Sequence, residues 1–421
     1  MIVKSYIIYV LSCIRGIDLL YRGEEISLEL KRAFDKAFLN DALSQLKIAN
    51  CYYNGAGVRR DFEKAVYWYT LAAKQDNVSA QFHLGMCYKN GEGVSQNLPK
   101  AYAYLKKAAI AGHASAQYNL GNFYEYGLGV KKDSYTAVKW YKPSARQGYV
   151  DAQFKLAELY NKGNGIQKDE VMAAYWFAQL ANKGDCDAQC NLGDCFRVGH
   201  GVEKDYKKAV YWYSKSAKQN KLDAQFALGE CYEFGMGVEQ DYKGAVYWYT
   251  KAAREGYLDA QFALAMCYFF GRGVNLDYTN AAELFLKAAR QKHVAAQCNV
   301  AYCFQHGVGV PKNLAEAARW YHEASKSGDY MAQYNLSYLY ENGLGVTKNI
   351  QKAIDWIKKS AENGYIEAQF KLGCQFLNGI GVEKDINTAR KWITTAASKK
   401  HPEALELLKQ LRLTQAKKEN G

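Results

Sequence analysis

Residues 224–259 read AQFALGECYEFGMGVEQDYKGAVYWYTKAAREGYLD, and the chain repeats this 36-residue stretch in register. The Ala-Gln pair that opens the stretch recurs without insertion or deletion, and Ser44-Gln45 stands one step before the first such pair. The pairs are Ala80-Gln81, Ala116-Gln117, Ala152-Gln153, Ala188-Gln189, Ala224-Gln225, Ala260-Gln261, Ala296-Gln297, Ala332-Gln333 and Ala368-Gln369. A fixed period of this size is typical of a repeat architecture, in which each unit packs against its neighbours.

The first part of each repeat predicts an amphipathic helix. Small or apolar residues recur at i, i+4, i+7 and i+8, which form one helical face: Ala224, Leu228, Cys231 and Tyr232. Gly229 lies near this face, although a glycine inside a helix costs about 1 kcal/mol relative to alanine. Other repeats carry Gly, Ala or Ser at this position. We therefore expect another helix to cross closely there.

Two glycines follow in all ten copies, as at Gly235 and Gly237. A Gly-x-Gly pair indicates a phosphate-binding loop only after a strand and within a longer glycine pattern. Here the pair follows a predicted helix, so we interpret it as a helix-ending turn, where glycine adopts the left-handed conformation at little steric cost. Asp241 then predicts the N-cap of a second helix, because its carboxylate can accept a free backbone N–H of the first turn.

The second helix carries a tryptophan stripe. All eight tryptophans of the chain fall at one repeat position, while Tyr104 and Leu284 occupy the other two. These tryptophans are Trp68, Trp140, Trp176, Trp212, Trp248, Trp320, Trp356 and Trp392. We expect the stripe to form core rather than a cofactor site, since aromatic residues at helical spacing are the usual content of a packed face.

The pattern A-x-x-x-L-G-x-x-Y-x-x-G-x-G-V-x-x-D-x-x-K-A-x-x-W-Y-x-K-A-A-x-x-G resembles the Sel-one-like repeat (SLR) family, related to the tetratricopeptide repeat. The matching residues are Ala224, Leu228, Gly229, Tyr232, Gly235, Gly237, Val238, Asp241, Ala245, Trp248, Tyr249, Lys251, Ala252, Ala253 and Gly256. The tetratricopeptide period of about 34 residues does not fit the spacing. The resemblance implies an adaptor that holds other proteins in membrane-associated quality-control complexes, in signalling, or at a bacterium–host boundary.

We therefore predict an all-α fold, a right-handed α-solenoid superhelix of about ten 36-residue helix-turn-helix repeats. The repeats are expected at 44–79, 80–115, 116–151, 152–187, 188–223, 224–259, 260–295, 296–331, 332–367 and 368–403. Residues 1–43 form an N-terminal capping region, in which residues 28–39 (LELKRAFDKAFL) predict an amphipathic helix. Residues 404–421 form the C-terminal cap and tail, with a closing helix over 402–413 and a solvated tail over 416–421.

The location of the protein has two interpretations. Lys4 precedes an apolar run, YIIYVLSCI at residues 6–14, which could be the core of a signal segment, but charged Arg15 and Asp18 follow at once. A cytoplasmic location is favoured, and an exported protein acting at a host–bacterium boundary is the alternative. No run is long and apolar enough to span a membrane. Six cysteines occupy one first-helix position and are interpreted as small core residues in a reducing compartment: Cys51, Cys87, Cys195, Cys231, Cys267 and Cys303.

The formal charge of +13 could favour nucleic acid. The lysines are instead spread over predicted solvent-facing positions of the second helices, and carboxylates occupy the central first-helix positions, so no nucleic acid is expected. An RNA-binding helical repeat remains the alternative of another class. The seven histidines share no repeat position, and no cysteine–histidine group has zinc-ligand spacing with a fourth ligand. We expect no catalytic site, no metal and no cofactor.

Variable positions on the first helices, opposite the conserved face, are the candidate partner-binding surface. We predict that a protein or peptide binds in the concave groove that first helices line in related solenoids. An aromatic group would anchor an apolar segment of that partner, and flanking carboxylates would suit a basic one. These candidates are Phe234, Met266, Phe269, Phe270, Tyr302, His306 and Tyr338, with Glu158, Asp194, Glu230 and Glu233. The alternative for each ring is packing against the neighbouring repeat.

The repeated glutamine has two interpretations as well. It could hydrogen-bond a loop of the preceding repeat, which we favour, or it could form an amide ladder that binds an extended peptide backbone.

Overall fold

The computed structural model describes residues 28–419, with side chains described as far as residue 411. This part of the chain contains 22 helices and no strand. The helices are α1 Leu28–Phe38, α2 Ala42–Asn54, α3 Phe62–Lys74, α4 Val78–Asn90, α5 Leu98–Ile110, α6 Ala114–Tyr126, α7 Ser134–Arg146, α8 Val150–Lys162, α9 Glu170–Asn182, α10 Cys186–Val198, α11 Tyr206–Lys218, α12 Leu222–Phe234, α13 Tyr242–Arg254, α14 Leu258–Phe270, α15 Tyr278–Arg290, α16 Val294–His306, α17 Leu314–Lys326, α18 Tyr330–Asn342, α19 Ile350–Glu362, α20 Ile366–Asn378, α21 Ile386–Ser398 and α22 Pro402–Glu419. The apolar run at residues 6–14 lies outside the described residues.

The repeats follow one another as helix pairs, each with an even-numbered first helix and an odd-numbered second helix. The chain forms two compact units that divide between Asp205 and Tyr206. Within each unit, every helix packs against the next one along the chain. The all-α solenoid of ten helix-turn-helix repeats that the sequence predicts is confirmed.

The turn between the two helices depends on its glycines. α12 ends at Gly235, which has φ 66° and donates its backbone N–H to the carbonyl of Cys231. The second glycine, Gly237, also has positive φ, and a Cβ there would overlap the backbone carbonyl of Tyr206 at the start of the preceding second helix. The second glycine therefore ends the turn and also lets one repeat approach the next.

The small residue inside each first helix explains how the helix pair closes. A Cβ on Gly229 would fall within the ring of Tyr249, and a Cβ on Gly121 would do the same to Tyr141. Both tyrosines are fully buried. The sequence predicts that another helix crosses closely at this glycine. In the structure, that helix is the second helix of the same repeat, whose tyrosine ring packs onto the glycine.

The tryptophan stripe is less deeply buried than the sequence predicts. Trp68 and Trp320 are buried, whereas Trp248 and the other tryptophans of the stripe are only partly so. The residue that follows, such as Tyr249, fills the centre of the helix pair. The tryptophan lies instead at the edge of the pair, where Trp140 packs against a core cluster that the second helix of the preceding repeat forms with the first helix of its own repeat. It therefore contributes to stacking between repeats.

The first described helix and the last one extend the stack. α1 buries Leu30, Ala33, Phe34 and Ala37. The rings of Phe34 and Phe38 meet Trp68 edge-on, at centroid distances of 6.1 and 5.2 Å. At the other end, α22 packs against α21 and continues to Glu419, which is beyond the predicted end at residue 413 and includes most of the predicted tail.

Candidate functional site

An exposed aromatic patch lies on two neighbouring first helices of the second unit. We define the aromatic patch as Phe269 and Phe270 at the end of α14 with Tyr302 and His306 on α16. The ring centroids of Phe269 and Phe270 are 5.1 Å apart, those of Tyr302 and His306 are 4.4 Å apart, and Phe269 and Tyr302 join the two pairs at 6.4 Å. Phe270 is 50% exposed and Tyr302 is 43% exposed. The structure thus brings four of the candidate residues together.

The other apolar candidates have different environments. Met266 is partly buried and packs against the core, as Phe269 also does. Tyr338 on α18 is exposed, and Lys371 Nζ lies 5.8 Å from its ring centroid. Phe234, the last residue of α12, is 62% exposed. The alternative of packing therefore applies to Met266 and in part to Phe269, while Phe234, Phe270, Tyr302 and Tyr338 present their rings to solvent.

The carboxylates beside the patch already have partners in the protein. Tyr249 donates its hydroxyl to Glu233 Oε2 at 2.7 Å, and Arg272 lies 3.7 Å from Glu233 Oε1. The guanidinium of Arg272 also stands 5.0 Å from the ring centroid of Phe270. Burial, followed by the hydrogen bond to Glu233 and the charge of Glu230, raises the pKa of Tyr249. Arg272 thus links the acidic end of α12 to the aromatic patch.

The two candidate carboxylates of the first unit are paired as well. Glu158 lies 3.8 Å from Lys155 Nζ and 3.4 Å from Lys162 Nζ. Asp194 lies 3.2 Å from Arg197. Both acids keep part of their side chain in solvent, so a partner's cation could reach them only in competition with these lysine and arginine groups.

Sequence reasoning missed Arg272, which stands between the two turn glycines Gly271 and Gly273. The middle residue of this turn changes from repeat to repeat, for example to Met236 and Val308. The same variability that selected the first-helix candidates would have selected this position too.

The repeated glutamine has a structural role. In nine repeats its side-chain Nε2 donates to the backbone carbonyl eight residues earlier, in the last turn of the preceding helix, at 3.0 to 3.3 Å. Gln261, which bonds Ala253, is fully buried. Gln81 differs, since its Nε2 donates to Asp76 Oδ1 at 3.2 Å. The structural role that we favoured is therefore supported, but the acceptor lies in the last turn of the preceding helix rather than in a loop. A donor that is used and buried there is not offered to a peptide.

The repeated thiols are poor nucleophiles. Burial raises the pKa of Cys87 and Cys267 to about 12 and that of Cys303 to about 11. The thiolate is the reactive form of cysteine, so these side chains act as packing groups. Cys51 is partly exposed rather than buried.

Residues 28–411, whose side chains are described, contain no group of three or more His, Cys, Asp or Glu side chains that could hold a metal ion. Among the described helices, none has the length and apolar character needed to cross a bilayer.

Comparison with known families finds the Sel1 repeat at ten consecutive places in the chain. The matched residues are 42–77, 78–113, 114–149, 150–185, 186–221, 222–257, 258–293, 294–329, 331–365 and 366–401. These begin two residues before most of the repeats as we divided them. A comparison with curated protein sequences gives no significant match.

Two solved structures with the same repeat resemble this one. A protective antigen of uropathogenic Escherichia coli with an SLR fold is 31% identical, with a TM-score of 0.83, over 92% of this chain and 82% of the antigen. A Sel1 repeat protein from Oxalobacter formigenes is 31% identical, with a TM-score of 0.62, over 74% of this chain and 88% of that protein.

Proposed function

The chain belongs to the Sel1 repeat family, and we propose that it is a non-enzymatic scaffold whose aromatic patch binds an apolar segment of a partner protein. Sel1 repeat solenoids are in general protein-interaction scaffolds. The observation that carries the proposal is the exposure of the rings of Phe270 and Tyr302, which Phe269 joins into one patch on neighbouring first helices.

The patch has the character of an interface anchor. Aromatic residues are enriched among those that dominate the free energy of protein association, and they occur in clusters. Phe269 connects the patch to the core beneath it, so the exposed rings of Phe270 and Tyr302 stand on a rigid support. A partner that covers them loses little conformational freedom in the scaffold, which favours affinity.

The exposed rings of Phe234 and Tyr338 and the partly buried Met266 extend this surface in our proposal. Together with the aromatic patch, they give an apolar segment several possible contacts along successive first helices of the second unit.

The acidic surroundings suggest a basic residue beside the apolar segment. α12 carries Asp223, Glu230 and Glu233 and no lysine or arginine. Because Glu233 is held by Tyr249 and Arg272, a basic side chain of the partner would compete with Arg272 for it. We therefore assign binding mainly to the rings and assign charge to steering of the approach. Glu158 and Asp194 of the first unit are proposed as secondary contacts of the same kind.

A nucleic acid is the less favoured ligand for this surface. Stacking of bases on Phe270 and Tyr302 would be possible, but the carboxylates of α12 would repel phosphate. The experiment below treats nucleic acid as one of its outcomes.

The test is an affinity pull-down with the wild type and a Phe270→Ala/Tyr302→Ala variant, each with and without nuclease, read by mass spectrometry. A Tyr211→Ala/Tyr247→Ala variant is the matched control, because it also removes two exposed rings but from second helices. We expect a protein that is enriched by the wild type and by the control, is lost with the patch variant, and is insensitive to nuclease.

Circular dichroism and thermal unfolding of all three proteins establish that each variant is folded before its binding is compared with that of the wild type. Enrichment that disappears with nuclease would replace the proposal by the RNA-binding alternative. Equal enrichment by the wild type and a folded patch variant would remove the patch from the binding site.

A further inference from the structure

Leu284 stands at the repeat position that eight other repeats fill with tryptophan. A cleft of about 570 Å³ opens beside it, between α13, α14 and α15. Leu264, Tyr268 and Leu284 give the cleft an apolar wall. None of the lining residues belongs to the aromatic patch, so the cleft is a separate feature of the second unit. Its volume lies within the range of small-molecule sites.

Another repeat shows how a ring fits at this position. Tyr104 replaces the tryptophan there, and its ring lies parallel to the ring of Tyr88, with centroids 5.9 Å apart and an angle of 1°. Tyr88 and Tyr268 occupy the same repeat position. In the repeat of Leu284, Tyr268 lines the cleft, and Leu284 offers it no ring. Tyr268 is therefore a platform on which a planar group can stack.

A lysine adds to the same arrangement. In the preceding repeat, Lys251 Nζ stands 5.1 Å from the ring centroid of Trp248, three residues earlier. Lys287 has the same spacing from Leu284, which offers no ring, and it lines the cleft. An aromatic group in the cleft would supply the face that such a lysine covers in the neighbouring repeat.

The rim of the cleft is positively charged. Arg254, Lys287 and Arg290 line it, against one carboxylate, Glu283. Among the described side chains, none of the three cations lies within ion-pair distance of a carboxylate. An anionic group of a ligand could therefore pair with Arg254 or Arg290 without first breaking an internal ion pair, and arginine holds a carboxylate through two parallel hydrogen bonds.

We propose that the cleft at Leu284 binds an aromatic ring that bears a carboxylate. The ring takes the space of the missing indole, stacks on Tyr268 and lies under Lys287, while the carboxylate meets the arginines of the rim. Two sources share this chemistry: a free aromatic acid, and the C-terminal residue of a peptide that ends in tryptophan.

Isothermal titration calorimetry on the full chain tests the proposal with five probes: indole-3-acetate, neutral indole, acetate, and a tripeptide ending in tryptophan in its free-acid and its amidated form. We expect indole-3-acetate or the free-acid tripeptide to bind more tightly than indole, and acetate not to bind. Tighter binding of the tripeptide than of indole-3-acetate identifies a chain terminus as the source, and the reverse identifies a small acid.

Leu284→Trp is the decisive variant, because it fills the cleft with the side chain that eight repeats already accommodate. It should fold as the wild type does and lose at least about tenfold in affinity. Tyr104→Trp makes the same kind of change at the equivalent position of another repeat and should leave binding unchanged. A folded Leu284→Trp protein that binds as well as the wild type would overturn the proposal, and so would the absence of binding by every probe.

A second variant keeps the test independent of how the filled cleft folds. Arg254→Gln/Arg290→Gln changes two exposed side chains. It should lower the affinity for indole-3-acetate by about tenfold and leave the affinity for neutral indole unchanged. An equal loss of affinity for both probes, or no loss for either, would contradict the claim that the arginines of the rim bind the carboxylate.

Discussion

Replacing Gly273 by alanine should destabilise the protein more than the same change at Gly256, because only Gly273 touches a neighbouring repeat. Both glycines have a left-handed backbone, with φ +72° and +89°. An alanine in this conformation costs about 1–2 kcal/mol whatever the surrounding space. A Cβ on Gly256 would meet no atom within 4 Å. The conformational cost is therefore the whole effect expected for Gly256→Ala.

At Gly273 a second cost is added. A Cβ there would overlap the carbonyl of Tyr242 and stand 2.9 Å from the backbone nitrogen of Lys243. These are backbone atoms at the start of α13, so they can move aside only if the whole repeat moves. Forcing extra atoms into a packed contact costs about 1–3 kcal/mol. The total for Gly273→Ala is then about 2–5 kcal/mol, against about 1–2 kcal/mol for Gly256→Ala.

Urea unfolding, followed by far-ultraviolet circular dichroism, measures the loss of unfolding free energy in each variant. Because neighbouring repeats can unfold separately, native-state hydrogen exchange at the first turn of α13 should accompany it. We expect faster exchange there in Gly273→Ala than in Gly256→Ala. Equal losses of stability, with equal exchange in α13, would refute the claim that the second turn glycine holds adjacent repeats together.

Three further predictions concern the same unit. Gln261→Leu removes the hydrogen bond to Ala253 and leaves a buried carbonyl unsatisfied, which should cost about 1–3 kcal/mol in urea unfolding; a loss below the error of the measurement would contradict the structural role of the glutamine. The pKa of Tyr249 is raised in the folded state. Above about pH 10 the Tyr249 hydroxyl therefore ionises in the unfolded chain but stays protonated in the folded protein, which stabilises the unfolded chain. The urea midpoint should therefore fall as the pH rises further, and it should fall less in Tyr249→Phe; identical slopes would refute this. Phe270→Ala/Tyr302→Ala should change stability by only about 0.5 kcal/mol per site, since both rings are largely exposed, and a loss of several kcal/mol would place them in the core.

The architecture could be predicted from the sequence because the repeat restates every structural requirement ten times. The spacing of Ala224 and Leu228 predicts the helical face, Gly235 predicts its end, and Asp241 predicts the next cap. Each signal is local, so it survives without knowledge of the partner repeat. Repetition then distinguishes a turn glycine from a phosphate-binding one.

Contacts between repeats were harder to predict because one sequence position can serve either of two neighbours. Trp248 and Tyr249 are adjacent aromatic residues in the same helix. Nothing in the sequence indicates that Tyr249 fills the centre of the helix pair while Trp248 lies at the edge of that pair. The sequence predicted that Gln261 bonds the preceding repeat, but not that its acceptor is the carbonyl of Ala253 in the last helical turn. Gly273 was recognised only as a turn glycine, and its close approach to Tyr242 of the preceding repeat was not predicted.

The candidate site could be predicted only as a set of variable positions. Variation at fixed spacing selected Phe270 and Tyr302, whose rings are exposed in the structure. It gave no sign that Glu233 would be held by Tyr249 and Arg272, since ion pairs depend on side-chain placement across the turn. The cleft beside Leu284 likewise follows from an exception to the repeat pattern and becomes visible only when the surrounding helices are in place.

Site-specific photo-crosslinking tests most directly whether the aromatic patch binds another protein. A photoreactive phenylalanine analogue replaces Phe270 in one sample and Tyr247, an exposed ring on a second helix, in the other. The proposed function predicts a discrete protein adduct from position 270 that survives nuclease and is absent from position 247. Equal adducts from both positions, or an adduct from position 270 that nuclease removes, would contradict it.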